Sequence, residues 1–502
     1  MSRSRGELLA YALLVAAALA VRLFDLGDRP FHHDESQDAY FSWIFFTQRD
    51  YEYDPLLHGP FRFYLTAAMY AVFGDSDFTA RLAPALMGTL MVPLPYLLRA
   101  QIGRAGAFAA AVLLAFGPSY LYFSRFARED IYFAAVSLAL LVVTFRFLER
   151  PRRHQPALIG ALLAVLFSIK ETTFITGFVA FTYFVGVLAF RRELLLRPLR
   201  AVGLDAWGWA LAAFVGVYTV LFTTFLTHPE GVLGLYDGLD YWLGQHEVGR
   251  GGEAWSFYLV VLFGVEWPVL LLGAVGAVAA VLRPTLLRLF LMWAFVLSLV
   301  IYSWAGEKFA WLVLHPLLPL LLLAGIGVQA VWDARRRWYG ALGIAACVAG
   351  ALYAGFASWS VNDRYRADPR ELLVSTQSSE EVARVADAVV ARAERGPTSI
   401  TVDSSEGATF PWAWYFRDLD VGYVELGATG DAPDSDVLIL TPSAHDRLAP
   451  DLQGYAARRF PFRVWWVRDN NTLTPTAWWR WLTGREPWNP TGGMSEWLYE
   501  RR

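Results

Sequence analysis

The sequence predicts a polytopic, all-α membrane domain of about eleven transmembrane helices, followed by a small extracytoplasmic α/β domain. Three observations carry this. The 502 residues are 56% hydrophobic and only 18% charged, where a soluble chain carries about a quarter charged residues. The deficit is uneven: long apolar runs fill the chain from Leu8 to Trp359, and from Asn362 onward it reads as an ordinary soluble domain. Finally, when the apolar runs are threaded alternately through a bilayer, every cluster of basic residues falls on one face. The expected division is residues 1–360 for the membrane domain and 361–502 for the α/β domain.

A helix needs roughly 20 apolar residues to cross the hydrocarbon core. The runs at 8–24, 78–98, 105–121, 130–148, 156–169, 172–190, 205–226, 255–282, 285–304, 309–330 and 338–358 are the candidates, and 156–169 is short. Met1–Ala20 is basic and then apolar, like a signal peptide. Its apolar run continues to Phe24 without a small-residue cleavage site, which predicts an uncleaved first span. The basic clusters lie at Arg3 and Arg5, Arg99 and Arg104, Arg150 to Arg153, Arg191 to Arg200, Arg283 and Arg288, and Arg335 to Arg337. They put the N-terminus in the cytoplasm and residues 361–502 outside, in a multi-pass protein of the cell (plasma or inner) membrane.

The first outer loop, 25–77, holds FHHDESQDAYFSWIFF and YDPLLHGPFRFYLTAAMYAVFG, which predict two amphipathic helices lying at the interface. A later outer loop, about 227–254, is Gly-rich and polar, with His228, Asp237, Asp240, His246, Glu247 and Arg250. Past Ser360, residues 379–394 repeat apolar positions at helical spacing. SITVDSS, VGYVEL, DVLILTPS and YAARRFPFRVWWVRD read as strands, with a short aromatic helix in TFPWAWYFRDL. That alternation predicts a layered domain with a partly parallel sheet. It has no Gly-rich phosphate loop and no nucleophile elbow, so binding or positioning is its expected role. The Trp-rich tail, Trp478–Trp497, can reach the membrane interface. A net charge of −3 gives no basic excess for nucleic acid. The single cysteine, Cys347, excludes an intramolecular disulfide and a Cys-rich zinc site.

Charges at the outer mouths of spans are expensive unless paired or used. Asp34 and Glu35 follow the first span, flanked by His32 and His33, where a new helix begins. Such acids can cap the helix and favour its N-terminus, or they can do chemistry. In FSRFARED, Arg125 and Arg128 suit a bidentate grip on phosphate, and Glu129 and Asp130 can hold a metal or position an acceptor. The same four charges can equally form a salt-bridge cluster that pins the loop. Glu307 and Lys308 of AGEKFAW present a similar choice, Lys308 neutralising a phosphate or reaching toward lipid headgroups. Lys170 and Glu171 share that ambiguity. His58 opens the second outer helix in the same loop as Asp34, whereas His315, inside a Leu-rich span beside Pro316, reads as a packed histidine.

In this order, these residues resemble the GT-C superfamily of membrane glycosyltransferases, the group of protein mannosyltransferases and aminoarabinose transferases. The pattern is DE in the first outer loop (Asp34–Glu35), then H-x-P before an aromatic helix (His58–Gly59–Pro60). FGDSDFTARLAPALMGTLMVPLPYLL at 73–98 and SRFARED at Ser124–Asp130 follow. AGEK at 305–308 with HPLLPLLLLAG is similar to a bacterial and archaeal subgroup described as flippase-activity-associated. The resemblance covers 1–330. It implies a transferase that uses a polyprenyl-phosphate-linked sugar, works on the outer face and delivers to a glycan, lipid or protein acceptor. In such enzymes an acid of the first outer loop acts on the acceptor, and by position that role falls on Asp34, with Glu35 beside it.

Displacing a lipid phosphate from an anomeric carbon needs a carboxylate near the acceptor and cations near the leaving group. Arg125, Arg128 and Lys308 are therefore expected at the donor phosphate. His33, His58, Glu129, Asp130 and Glu307 are the candidates for the acceptor or a metal. Some relatives use a divalent metal and others none, and the chain lacks a clear ligand set, so the cofactor stays open. It departs from the family in the extra histidine before DE and the glycine inside H-x-P. Two other classes compete with a transferase. An accessory of lipid-linked sugar flipping would want charges buried mid-span, and the spans hold few. A scaffold that keeps the fold would have no need of Asp34, Arg125 and Arg128.

Overall fold

The computed structural model describes residues 2–245, 253–428 and 430–502; His246, Glu247 and Arg250 lie outside the described residues. Among them, eight helices are long and apolar enough to cross a membrane, and ten if two bent pairs each count as one span. The count of about eleven is thus not reached. The apolar run 156–169 forms a helix of 13 residues, Gln155–Phe167, which at 1.5 Å per residue is about 20 Å long, against a core of about 30 Å.

The run 105–121 is two helices, Arg104–Phe116 and Pro118–Ser124, bent by 49° where Pro118 cannot donate a backbone hydrogen bond. The run 255–282 bends by 97° between Phe257–Gly264 and Trp267–Leu282. The second of these crosses Leu314–Asp333 backbone to backbone. A Cβ on Gly276 would stand 1.9 Å from the carbonyl oxygen of Leu323, and one on Gly327 would stand 2.1 Å from that of Leu272. In lipid, where apolar burial drives little association, such small-residue crossings let helices pack.

Both outer-loop helices form, as His33–Gln48 and Phe61–Phe73. The buried positions of the first are Glu35, Ser36, Asp38, Ala39 and Ser42. Its inner face is therefore polar and meets charges from other elements, rather than an apolar stripe facing lipid.

The C-terminal residues build one six-stranded sheet, with order β1-β5-β6-β4-β2-β3. Its strands are β1 (Gln377–Ser378), β2 (Ile400–Asp403), β3 (Val421–Val424), β4 (Val437–Leu440), β5 (Tyr455–Trp465) and β6 (Gly492–Arg501). Parallel pairing joins β2 to β3 and to β4, and the other pairs are antiparallel. All four β4 residues are buried because the sheet is covered on both faces. Val437 and Ile439 pack under helix Glu380–Arg395, whose Val382, Val385, Ala386 and Val389 fall at helical spacing. Leu438 and Leu440 meet Ala444, Leu448 and Tyr499 on the other side.

The tryptophan-rich tail splits. Helix Pro475–Gly484 buries Trp481 completely, and its Trp481 and Trp478 close over Gly264 of the bent membrane pair. Trp479 stays exposed. The sheet domain also docks on the first outer loop. Tyr415 Oη accepts from Phe31 N at 3.0 Å, Trp414 Nε1 donates to Asp77 at 2.8 Å, and Arg417 pairs with Asp75 at 2.7 Å.

Candidate active site

The first outer helix starts at a capping box: His32 Nδ1 accepts from Asp34 N at 3.0 Å, and Glu35 accepts from His32 N at 3.2 Å. Successive helical residues point about 100° apart, so the two acids have different surroundings. Glu35 turns inward and is completely buried. It takes hydrogen bonds from Arg81 Nε at 2.8 Å and Nη2 at 3.0 Å, Arg29 at 3.0 Å and Ala127 N at 2.9 Å. Burial would raise its pKa, but the two guanidinium groups outweigh that and hold it at about 2. Glu35 thus fastens the helix to the loop before Arg128 and has no face open to a substrate.

Asp34 turns the other way, its side chain 23% exposed, and is held by the guanidinium of Arg128. Desolvation again works against ionisation, and Arg128 with His32 and His33 overrides it, leaving Asp34 at about 2. His33 points toward the sheet domain, its Nδ1 2.9 Å from Arg463 Nη2.

Arg128 links the helix to a second set of charges. Its other arm donates to Glu129 at 3.0 Å, and its guanidinium lies 4.5 Å over the Trp311 ring. Glu129 is buried and also meets Arg62 at 2.6 Å and Lys170 at 2.7 Å. Asp130 meets Lys170 at 3.1 Å and His315 at 3.4 Å. His315 packs as expected, stacked 4.9 Å from Tyr302, and it additionally faces this acid. Lys170 stays charged: burial disfavours its ammonium, and Asp130 and Glu129 raise its pKa above the usual value.

His58 joins from the H-G-P motif, with Nδ1 2.8 Å from Glu171 and Nε2 3.7 Å from Glu129. The glycine inside that motif has a steric cause. Gly59 N donates to Ile169 O at 3.2 Å, and a Cβ there would sit 2.1 Å from Ser168 O. His58 itself has φ 59° and ψ −162°, a conformation costing of order 1–3 kcal/mol that persists where surrounding structure imposes it, commonly at functional sites.

Of these groups His58, Arg128, Lys170 and Glu171 line a cleft of about 140 Å³, together with Glu307 and Trp311 among others. An apolar cavity of about 140 Å³ lies alongside, walled by Phe133, Leu141, Phe145, Phe290 and Leu318, and it reaches His315. The other two expected phosphate ligands, Arg125 and Lys308, are not among the residues lining this cleft, although Lys308 bonds Ala305, which is. Arg125 donates to Phe24 O at 2.6 Å and lines a separate hollow with Trp359 and Asp363. Lys308, nearly buried, donates to Ala305 O at 2.5 Å. Arg62, Asp38 and Lys170 enter the cluster instead. Among the described residues no three His, Cys, Asp or Glu side chains converge as a metal site. Asp34, Glu35, Glu129 and Asp130 each face a guanidinium or ammonium group, and Glu171 faces His58.

Residues 57–221 match the family model of dolichyl-phosphate-mannose-protein mannosyltransferases. No curated protein sequence matches the chain. Among solved structures, it is similar to ArnT from Cupriavidus metallidurans in the apo state, with TM-score 0.61 and 16% identity over 88% of this chain and 95% of that one. The same protein bound to undecaprenyl phosphate gives TM-score 0.60 and 15% identity over 97% of each. The archaeal oligosaccharyltransferase AglB from Archaeoglobus fulgidus, in complex with an inhibitory peptide and a dolichol-phosphate, gives 0.53 and 14% identity over 82% of this chain and 60% of that one. The chain thus shares its fold with ArnT and AglB, and its segment 57–221 matches the mannosyltransferase family model.

Proposed function

We propose that the protein transfers a sugar from a polyprenyl-phosphate-linked donor to a glycan, lipid or protein acceptor on the outer face of the membrane. The observation that carries this reading is the position of Asp34. It is an ionised, partly open carboxylate, one guanidinium away from a cleft that also presents Lys170.

In the reaction the bond from the anomeric carbon to the lipid phosphate breaks, and a bond from the acceptor oxygen to that carbon forms. Negative charge grows on the departing phosphate, and the acceptor hydroxyl must lose its proton. Arg128 and Lys170 are the cations that would receive the phosphate, and the buried Nε–H of Arg128, 4.0 Å from Asp130, donates no hydrogen bond. Asp34, with its low pKa, is a weak base. It orients the acceptor hydroxyl and takes the proton late, once bonding to the anomeric carbon has made that proton acidic. The apolar cavity beside His315 gives the first isoprene units a dry wall. ArnT has been solved bound to undecaprenyl phosphate and AglB with a dolichol-phosphate, and the same lipid-phosphate chemistry suits this cleft. His33, Arg463 and Phe410, where the sheet domain meets the outer helix, form the acceptor side. The basic clusters support a cytoplasmic N-terminus and an outer sheet domain.

The reading is tested with purified protein in proteoliposomes containing synthetic polyprenyl-phosphate sugars, alongside mass spectrometry of cell-envelope glycans with and without the protein. Consumption of one donor and loss of the corresponding glycan are expected. No turnover with any donor, and an unchanged envelope, would contradict it.

A further inference from the structure

Helix Glu129–Glu149 begins in the acid–base cluster and runs 21 residues, so its far end lies about 30 Å away, roughly one hydrocarbon thickness. At that end is a hollow of about 630 Å³. Arg99, Arg104, Arg146, Arg150 and Arg152 line it, and Glu149 is the single acid among its lining residues. Its remaining wall is largely apolar, including Leu97, Val142 and Leu158.

The arginines come from two separate loops and helix ends, yet they border one hollow. Several are held there by backbone and ring contacts that leave the charge in place. Arg99 lies 3.7 Å over the Tyr96 ring and donates to Tyr96 O at 2.8 Å. Arg146 donates to Leu97 O at 3.4 Å. Arg104 is the one paired with a carboxylate outside the hollow, Glu7 at 2.5 Å. A rule that merely keeps basic residues on one face accounts for their side of the membrane. It does not account for their convergence on an apolar-walled cavity.

We propose that this hollow binds the phosphate of an anionic membrane lipid, with the headgroup among the arginines and the acyl chains against Leu97, Val142 and Leu158. Guanidinium groups match phosphate oxygens bidentately, and basic pockets between helix ends are a general form of anionic-lipid site. The site is separate from the donor cleft and stands whether or not the proposed transfer reaction does. A soluble phosphate ester would present the same charged group, and the apolar wall favours the lipid.

The test uses the full chain in nanodiscs of phosphatidylcholine, with or without phosphatidylglycerol, and reads retained lipid by native mass spectrometry together with the melting temperature. Glycerophosphate is titrated separately into the phosphatidylcholine discs. Selective retention of phosphatidylglycerol and a raised melting temperature are expected, with no effect of millimolar glycerophosphate. The double variant Arg146→Gln/Arg150→Gln should weaken retention by about fivefold per arginine removed. If that variant does not fold, Arg150→Gln alone, at an exposed position, should weaken it about fivefold. Undiminished retention in a folded variant would overturn the proposal. So would stabilisation reproduced in full by glycerophosphate, which would make the ligand a soluble anion.

Discussion

The carboxylate of Asp34 is held by the guanidinium of Arg128, 94 positions along the chain, and the same guanidinium donates to Glu129 at 3.0 Å. The first outer helix and the SRFARED loop therefore share one cation, and Arg128 is the member of this link that lines the cleft.

This separates two arginines that look equivalent in the motif. Arg128→Lys keeps the charge and loses the fork, so transfer should fall about 10²-fold or more while the protein remains folded. Arg125→Ala, at a residue that caps the end of the first span through Phe24 O and Asp25 O, should lower the melting temperature and leave the KM for donor near wild type. Paired kinetic and thermal measurements on the two variants check this, and a reversed pattern would return the phosphate to Arg125.

Glu35 and Asp34 should likewise part company. Glu35→Gln removes one partner of a buried cluster and strands Arg29 and Arg81, a change that typically costs about 3–5 kcal/mol. The expected result is poor yield or a melting temperature lowered by several degrees. A stable Glu35→Gln protein with no transfer would instead give Glu35 a chemical role.

Stability should also depend on pH in a defined window. Burial pushes His32 down to about 4 from its usual 6.5 despite the neighbouring Asp34 and Glu35. The unfolded chain therefore takes up a proton at pH values where the folded one does not. The stabilisation is complete above about 6.5 and declines as pH falls toward 4. His33, lowered by burial as well, adds in the same direction. Asp34 and Glu35, held at about 2, lose their contribution only at lower pH, below the ordinary carboxylate values. Asp38, whose carboxyl is pushed up to about 8 by burial, works in the opposite direction over this window, so the contribution of His32 is read as a difference. The melting temperature of the wild type should fall, relative to that of His32→Asn, between pH 6.5 and 4.5, since the variant keeps a capping acceptor; identical profiles in the two proteins would contradict this.

The orientation has its own check. A reporter active only in the cytoplasm, fused after Arg502, should be silent, and strong activity there would reverse the assignment of the sheet domain to the outer side.

The helical membrane domain, both outer-loop helices and four of the strands were legible because their signals are local: apolar length, capping residues and β-branched runs. Strand β6 was not. GGMSEWLYER opens on two glycines and has irregular burial, and it is central only because β5 and β4 accept it on either side. At 156–169 the apolar run has the composition of a span but forms a helix of only 13 residues, so length and composition alone do not confirm the count of eleven. At the site, the motif names residues that the structure brings together, Asp34 with Arg128 and Glu129 with His58, and could not sort them. Adjacent acids on a helix point apart, and the capping-box spacing of His32 and Glu35 was the available hint that Glu35 faces inward. Arg62 and Asp38 reach the cluster through long-range packing, for which the sequence carries no local sign, whereas Lys170 shows the same ambiguous signal as Lys308. The glycine in H-G-P, a departure from the family pattern, is explained by the approach of Ser168 to that loop.

The central claim is that Asp34 acts on the acceptor, and Asp34→Asn tests it most directly. The substitution preserves shape and hydrogen-bonding capacity and removes the charge and basicity. Purified wild-type and variant proteins are compared for melting temperature and then for transfer from a polyprenyl-phosphate sugar in proteoliposomes. The account predicts a melting temperature within a few degrees of wild type and a rate lower by about 10²–10⁴-fold. Near-wild-type transfer by a stable Asp34→Asn protein would contradict it.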